Sequence, residues 1–169
     1  ARQYEHVISD GQSCVAAWNM GARAAEGDLI VQLSDDWIPV PGWDAKLVGA
    51  IERAGKTLAD SVVVAIGDGT RTDDLLCMAI CTRARIAEQD DGDLFSPEYE
   101  SVFSDNEFTH RAWRDGVVID ARKEIVFEHM QPAFGKAAMD ESYAHNNKRE
   151  RYERGEATFR RRNPDAFTQ

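Results

Sequence analysis

No apolar stretch in this 169-residue chain approaches the roughly 20 residues that a membrane-spanning helix needs, and no charged-then-apolar leader opens it. Cysteine is scarce. Cys14, Cys77 and Cys81 are an odd number, unable to form a fully paired disulfide framework, so a soluble, reducing, cytoplasmic setting is expected. Positive charge is short as well: 20 Lys and Arg stand against 30 Asp and Glu, a net of −10. That balance disfavours non-specific binding of duplex nucleic acid, which rests on many Lys/Arg–phosphate contacts. No glycine-rich phosphate loop precedes a Lys; Gly67-Asp68-Gly69-Thr70 reads as a turn, which removes the main support for a nucleotidyl or phosphoryl transferase. Cys77 and Cys81 have no second cysteine pair to complete a zinc set and read as small buried hydrophobes. Repeats, low-complexity segments and linkers are absent. What remains is 43% hydrophobic and 30% charged, the composition of one globular domain with a substantial core. The chain opens on Ala rather than Met, as a processed, tagged or partial chain would.

The acidity is uneven. Glu88 to Glu107 holds eight acids and no Lys or Arg, whereas His145 to Gln169 holds seven bases and four acids. Two readings fit: a solvated acidic loop with a solvated C-terminal helix, or an acidic mouth beside a site with the basic tail folded back on the body.

Periodicity places a short strand at Tyr4–Ser9, ended by Asp10-Gly11, and a helix from Ser13 as cap to about Ala25. Leu29–Leu33 and Val62–Ile66 are nearly continuous apolar runs, the pattern of strands buried on both faces. A helix starts at Trp43. Leu75–Cys81 is long enough for either element and reads as a strand, followed by a short helix over Thr82–Gln89. Asp105–Arg114 reads as helix, Val117–Asp120 and Glu124–His129 as strands, and Asp140–Arg162 as one polar helical stretch. Strands alternating with helices imply an α/β domain, whose ligands gather beyond the carboxyl ends of the strands. Residues 1–139 form that domain, with 140–169 a helical tail packed on it.

Three polar clusters fall at such ends. Ser34-Asp35-Asp36 follows a buried strand; adjacent carboxylates there repel and lose solvation, costs that a hard divalent cation such as Mg²⁺ or Mn²⁺ relieves. The same residues also fit a polar turn before Pro39. Ser104-Asp105-Asn106-Glu107-Phe108 opens a helix, where an acid either caps or serves as general base toward an acceptor hydroxyl. His129 ends a strand; it is a structural residue, or, if it meets Asp36, half of a mixed carboxylate–imidazole metal site. Of the four tryptophans, Trp18, Trp43 and Trp113 read as core, and Trp37, in the loop beside the acids, is the exception.

Taken in order, these clusters resemble the GT-A fold glycosyltransferases of family 2. The run Asn19 to Asp44 is similar to that family's Asn-x-Gly helix, Gly-Asp, buried strand, Asp-rich turn and Pro-Gly-Trp. Ser104-Asp105-Asn106-Glu107-Phe108 with Arg111 resembles its Glu-Asp segment, and His129 its late metal-binding His. The likeness covers about residues 4–135. It implies a three-layer α/β fold with a mostly parallel central sheet. It also implies metal-dependent, inverting transfer of a sugar from a UDP- or GDP-type nucleotide-diphosphate donor to an acceptor hydroxyl. Position by position, it implies Asp36 and His129 as ligands of Mg²⁺ or Mn²⁺, and Asp36 on the donor diphosphate. Asp35 falls on the ribose or sugar, Asp10 on the nucleotide base, and Asp105 is the catalytic base. Trp37, Glu107 and Arg111 are further candidates to touch acceptor or sugar.

The sequence departs from the family at two points. Ser34 stands where the first acid is usual, which weakens the expected metal affinity. Nothing before Tyr4 supplies the usual first strand and its Pro-x-Tyr-Asn-like turn, so the fold is expected to be N-terminally truncated, with an uncovered sheet edge and some homodimerisation. The rival reading is a non-catalytic nucleotide-sugar or carbohydrate binding module, or an inactive self-associating fragment.

Overall fold

The computed structural model describes residues 13–89 and 91–167. The strand expected at Tyr4–Ser9, and Asp10 after it, lie outside the described residues. Helix α1 (Cys14–Ala24) begins where Ser13 accepts a hydrogen bond from the Ala16 amide, the N-cap that the sequence suggests. Strand β1 (Leu29–Val31), the two-residue strand β2 (Trp37–Ile38) and helix α2 (Trp43–Arg53) follow, with Gly42 in the left-handed region turning the chain into α2. Then come β3 (Val63–Ala65), β4 (Ile80–Thr82) and the single-turn helix α3 (Arg83–Ala87). Helix α4 (Ser104–Arg114), β5 (Val118–Asp120), β6 (Glu128–His129), α5 (Glu141–Asn146) and α6 (Arg149–Arg162) complete the chain, with 3₁₀ turns at Pro132–Phe134 and Pro164–Phe167.

Four strands make the central sheet, in the order β1-β4-β3-β5. Strand β4 runs antiparallel to both its neighbours, and β3 and β5 are parallel, so β1, β3 and β5 all point the same way. The second sheet is the antiparallel pair β2–β6, with Trp37 opposite His129 and Ile38 opposite Glu128.

The apolar runs feed two cores, one on each face of the central sheet. Ile30, Val63, Ala65 and Cys81 face α1, α4 and α6 through Val15, Ala22, Phe108, Ala112 and Phe159. Val62, Val64 and Ile80 face α2 through Leu47, Ala50 and Ile51, with Ile125 and Phe127 beside them. Alternate residues of one strand thus serve opposite layers, which is why Val62–Ile66 carries no polar position. The result is the three-layer α/β arrangement.

Three elements differ from the sequence expectation. Only Ile80–Thr82 of the Leu75–Cys81 run pairs as a strand. Upstream, side chains take over: Thr109 Oγ1 accepts from the Leu76 amide, and Gln32 Oε1 from the Ala79 amide at 3.2 Å. Glu124–His129 is not one strand. Val126 makes an isolated parallel bridge to Gly67, and only Glu128–His129 pairs with β2, so the segment crosses from the main sheet to the small one. The polar stretch Asp140–Arg162 breaks at Asn147-Lys148 into two helices.

The basic tail lies back along the acidic segment. Arg154 and Arg151 pair with Glu100, and Arg161 and Arg162 with Glu98. Gly155 permits the approach, since a Cβ there would sit 2.6 Å from the Val102 carbonyl oxygen.

Candidate functional site

The turn after β1 presents the acids. The Trp37 amide donates to the Ser34 carbonyl at 3.3 Å, closing a turn with Asp35 and Asp36 at its corner. Asp35 is exposed. Strand β6 then fixes Asp36 from the other side. The Met130 amide donates to the Asp36 carbonyl at 2.7 Å, and the His129 amide to the Asp68 carbonyl at 3.1 Å. This places His129 Nε2 3.0 Å from Asp36 Oδ2, across 93 residues of sequence. Trp37, directly opposite His129 in the register, stacks on the imidazole with ring centres 4.1 Å apart and planes 16° from parallel. Trp37 is therefore largely buried, and one ring face is covered by His129.

The donor set fits a divalent cation in two respects. First, metal–ligand distances of about 2.0–2.1 Å with cis ligands at right angles place donors about 3 Å apart, the separation seen between Asp36 and His129. Second, Asp36 Oδ1 and His129 Nδ1 are buried without hydrogen-bond partners, so the pair is not saturated by protein. A carboxylate with an imidazole suits Mn²⁺ and tolerates Mg²⁺. Among the described residues no cluster of three or more His, Cys, Asp or Glu could hold a metal. The described residues thus bring together two candidate ligands.

Asp105 sits in the first turn of α4, which Phe103 enters with φ of 71°. Its Oδ1 accepts from the Asn106 amide at 3.0 Å. Burial pushes the carboxyl above the ordinary range, with this hydrogen bond and the Arg71 charge pulling the other way. Cys77 feels the reverse influence. Its thiol is pushed up to about 12, first by burial and then by the Asp105 charge. Arg71 and Cys77 line a cleft of about 520 Å³ that also takes in Trp37, Asp68 and Thr70. Among the described residues no hydrogen bond links Asp105 to Asp36 or His129, and none of the three lines this cleft.

Glu107 and Arg111 stand elsewhere. Glu107 is buried, accepts from Tyr99 Oη at 2.6 Å and Asn163 Nδ2 at 3.0 Å, and pairs with Arg162 at 2.9 Å and Arg111 at 3.0 Å. Burial alone would raise its pKa, but the hydrogen bonds from Arg162, Tyr99 and Asn163 outweigh it and hold the carboxyl below the ordinary range. Glu107 ties α4 to Arg162 at the end of α6, Arg111 pairs with Glu107 along the same helix, and neither Glu107 oxygen is left for an acceptor. Trp113, read as core, is partly exposed, with the Arg122 guanidinium 5.7 Å from its ring centre.

Sequence reasoning passed over Asp68. It is 5% exposed; its Oδ1 accepts from the amides of Thr70 at 2.8 Å and Arg71 at 2.6 Å, and its Oδ2 has no partner. The signal was a Gly-Asp-Gly turn leaving the carboxyl end of a buried strand. There the glycine is required by space, since a Cβ at Gly67 would lie 2.6 Å from the Arg122 carbonyl oxygen.

The three-layer α/β arrangement around a central sheet fits a GT-A-like fold. A family model described as "Glycosyl transferase family 2" matches residues 6–104, more than half of the chain, and the chain belongs to that family. Comparison with curated proteins and with solved structures gives no match. Membership carries glycosyl transfer in general, from a nucleotide-sugar donor to an acceptor. The matched stretch includes Asp35 and Asp36 and ends just before Asp105; His129 lies beyond it. No helix among the described residues is long and apolar enough to cross a membrane.

Proposed function

We propose that the chain is a metal-dependent, inverting glycosyltransferase using a UDP- or GDP-type sugar donor. The observation that carries this reading is the 3.0 Å approach of His129 Nε2 to Asp36 Oδ2, secured by the β2–β6 register. Asp36 and His129 would hold Mn²⁺ or Mg²⁺, which when bound offsets the charge building on a leaving diphosphate. With two ligands from the described residues, coordination would be left open for phosphate oxygens and water. Asp35, which is exposed, would meet ribose or sugar hydroxyls, and Asp10 would read the nucleotide base. Trp37 contributes by fixing the imidazole, so a direct sugar contact is confined to what its cleft-facing side offers.

Asp105 is the base. The acceptor oxygen attacks the anomeric carbon in line, the bond to the diphosphate oxygen breaks with its electron pair, and the acceptor proton passes to Asp105. The raised pKa supports this role, because a carboxylate nearer neutrality holds a proton better than an ordinary one.

A non-catalytic nucleotide-sugar binding module is the second reading, favoured by Ser34 in place of an acid and by the two-ligand donor set. Nucleotide-diphosphate release from a panel of UDP- and GDP-sugars with Mn²⁺ separates the two. Slow donor hydrolysis supports the transferase, and binding without turnover supports the module. The three free cysteines fit the cytoplasmic setting included in the reading. Among the described residues β1 has a strand on one side only. Homodimerisation across that edge belongs to the proposal, and sedimentation velocity tests it.

A further inference from the structure

Two buried polar atoms two residues apart in one loop have no hydrogen-bond partner: Asp68 Oδ2 and Thr70 Oγ1. Unpaired buried groups of this kind are costly and uncommon in folded proteins. Both residues line the cleft of about 520 Å³. Asp68 is nine-tenths buried and cannot turn away, because its other oxygen is held by the Thr70 and Arg71 amides and its carbonyl by the His129 amide.

The cleft's arginines do not answer this carboxylate. Arg71 is taken by Asp73, and Arg122 by Asp120 and Asp74. An anion would meet Asp68 with repulsion and find these guanidinium groups already paired. Neutral hydroxyl groups fit better: one donates to Asp68 Oδ2, and a neighbour accepts from or donates to Thr70 Oγ1. Trp37 lines the same cleft, so this wall adjoins the Asp36–His129 pair.

We propose that Asp68 and Thr70 form a polyol-reading wall that binds adjacent hydroxyls of a hexose and so sets sugar specificity. The proposal rests on the glycosyltransferase reading and deepens it by naming the residues that recognise the sugar. The hexose can belong to the donor or to the acceptor.

The test compares wild type, Asp68→Asn and Thr70→Val, all in the full chain. Asp68→Asn keeps an oxygen for the loop amides and removes the charged acceptor. Thr70→Val keeps the shape and removes the hydroxyl, and serves if the first variant does not fold. Calorimetry with Mg²⁺ measures UDP and GDP against UDP-glucose, UDP-galactose, UDP-N-acetylglucosamine and GDP-mannose. Saturation-transfer NMR with methyl hexosides at saturating nucleotide covers the acceptor. A donor subsite is shown if Asp68→Asn weakens the preferred nucleotide-sugar about tenfold or more and leaves the free nucleotide within about twofold. Loss confined to the methyl hexosides assigns the wall to the acceptor. Unchanged affinity for both in the folded variants overturns the proposal alone. Wild type that binds no nucleotide and no sugar overturns it together with the glycosyltransferase reading.

Discussion

His129 Nε2 and Asp36 Oδ2 lie 3.0 Å apart although 93 residues separate them, and neither could reach the other without β2 and β6 pairing in one register. A slip of one residue in that ladder would turn Trp37 and His129 to opposite faces and dissolve the pair.

Trp37 is consequently a support for the histidine as well as part of the core. Trp37→Ala is expected to cost about 3–5 kcal/mol, as for other buried tryptophans, and to weaken Mn²⁺ binding because the imidazole loses its stacking partner. Trp37→Phe keeps a ring over His129 and should recover most of both. Urea unfolding with Mn²⁺ titration followed by electron paramagnetic resonance reads the two effects together.

Asp105 stores a penalty that function would explain. Its folded pKa lies above the ordinary carboxylate value of about 3.9, so the folded state favours the protonated acid. Stability therefore falls as pH rises from the unfolded value through the folded one, and the full penalty is in place above it. Asp105→Asn should raise the melting temperature at pH 7, with a gain that shrinks toward pH 4. The same variant should cut turnover about 10²–10⁴-fold while leaving nucleotide affinity nearly intact. Unchanged turnover would remove Asp105 from the role of base.

Glu107 behaves oppositely. Its depressed pKa contributes stability that is present above the ordinary value of about 4.3 and is lost as pH falls through the lower folded value. Arg162→Ala leaves Arg111, Tyr99 and Asn163 in place. We expect a loss of about 3 kcal/mol, the low end for breaking a buried pair, and an acid-unfolding midpoint shifted to higher pH. Circular dichroism across pH 2–6 measures the shift.

Gly155→Ala pits helix propensity, about 1 kcal/mol in favour of Ala, against a Cβ 2.6 Å from a backbone oxygen. Backbone cannot swing aside as a side-chain tip can, so net destabilisation of about 1–3 kcal/mol is expected. Because Val102 and Phe103 lead directly into Asp105, the variant should also lower turnover beyond its effect on folding, as a comparison of activity per folded molecule will show.

Much of this arrangement was legible in the residues. Ser13, the apolar runs at Leu29 and Val62, and the polar turn at Asp35-Asp36 announce a cap, two buried strands and their loaded end. Residue chemistry raises His129 as a partner for Asp36 only on the condition that the two meet, since no local pattern records a pairing across 93 residues. The Leu75–Cys81 run misled because its hydrophobicity reports burial, not ladder pairing, and Gln32 and Thr109 supply the missing hydrogen bonds. Glu107 was a candidate contact through the family likeness; the residues that claim it, Arg162 and Asn163, come from the far end of the chain. Asp68 stayed hidden inside a turn signal, which its Oδ1 satisfies, while the unpaired Oδ2 has no sequence signature.

The central claim is that Asp36 and His129 grip a divalent ion that in turn holds a nucleotide diphosphate. Calorimetric titration of UDP and GDP, with and without Mn²⁺, into wild type and into Asp36→Asn tests it most directly. The account predicts binding of at least one nucleotide that requires Mn²⁺ and falls at least tenfold in the variant; equal affinity with and without metal, or in both proteins, would contradict it.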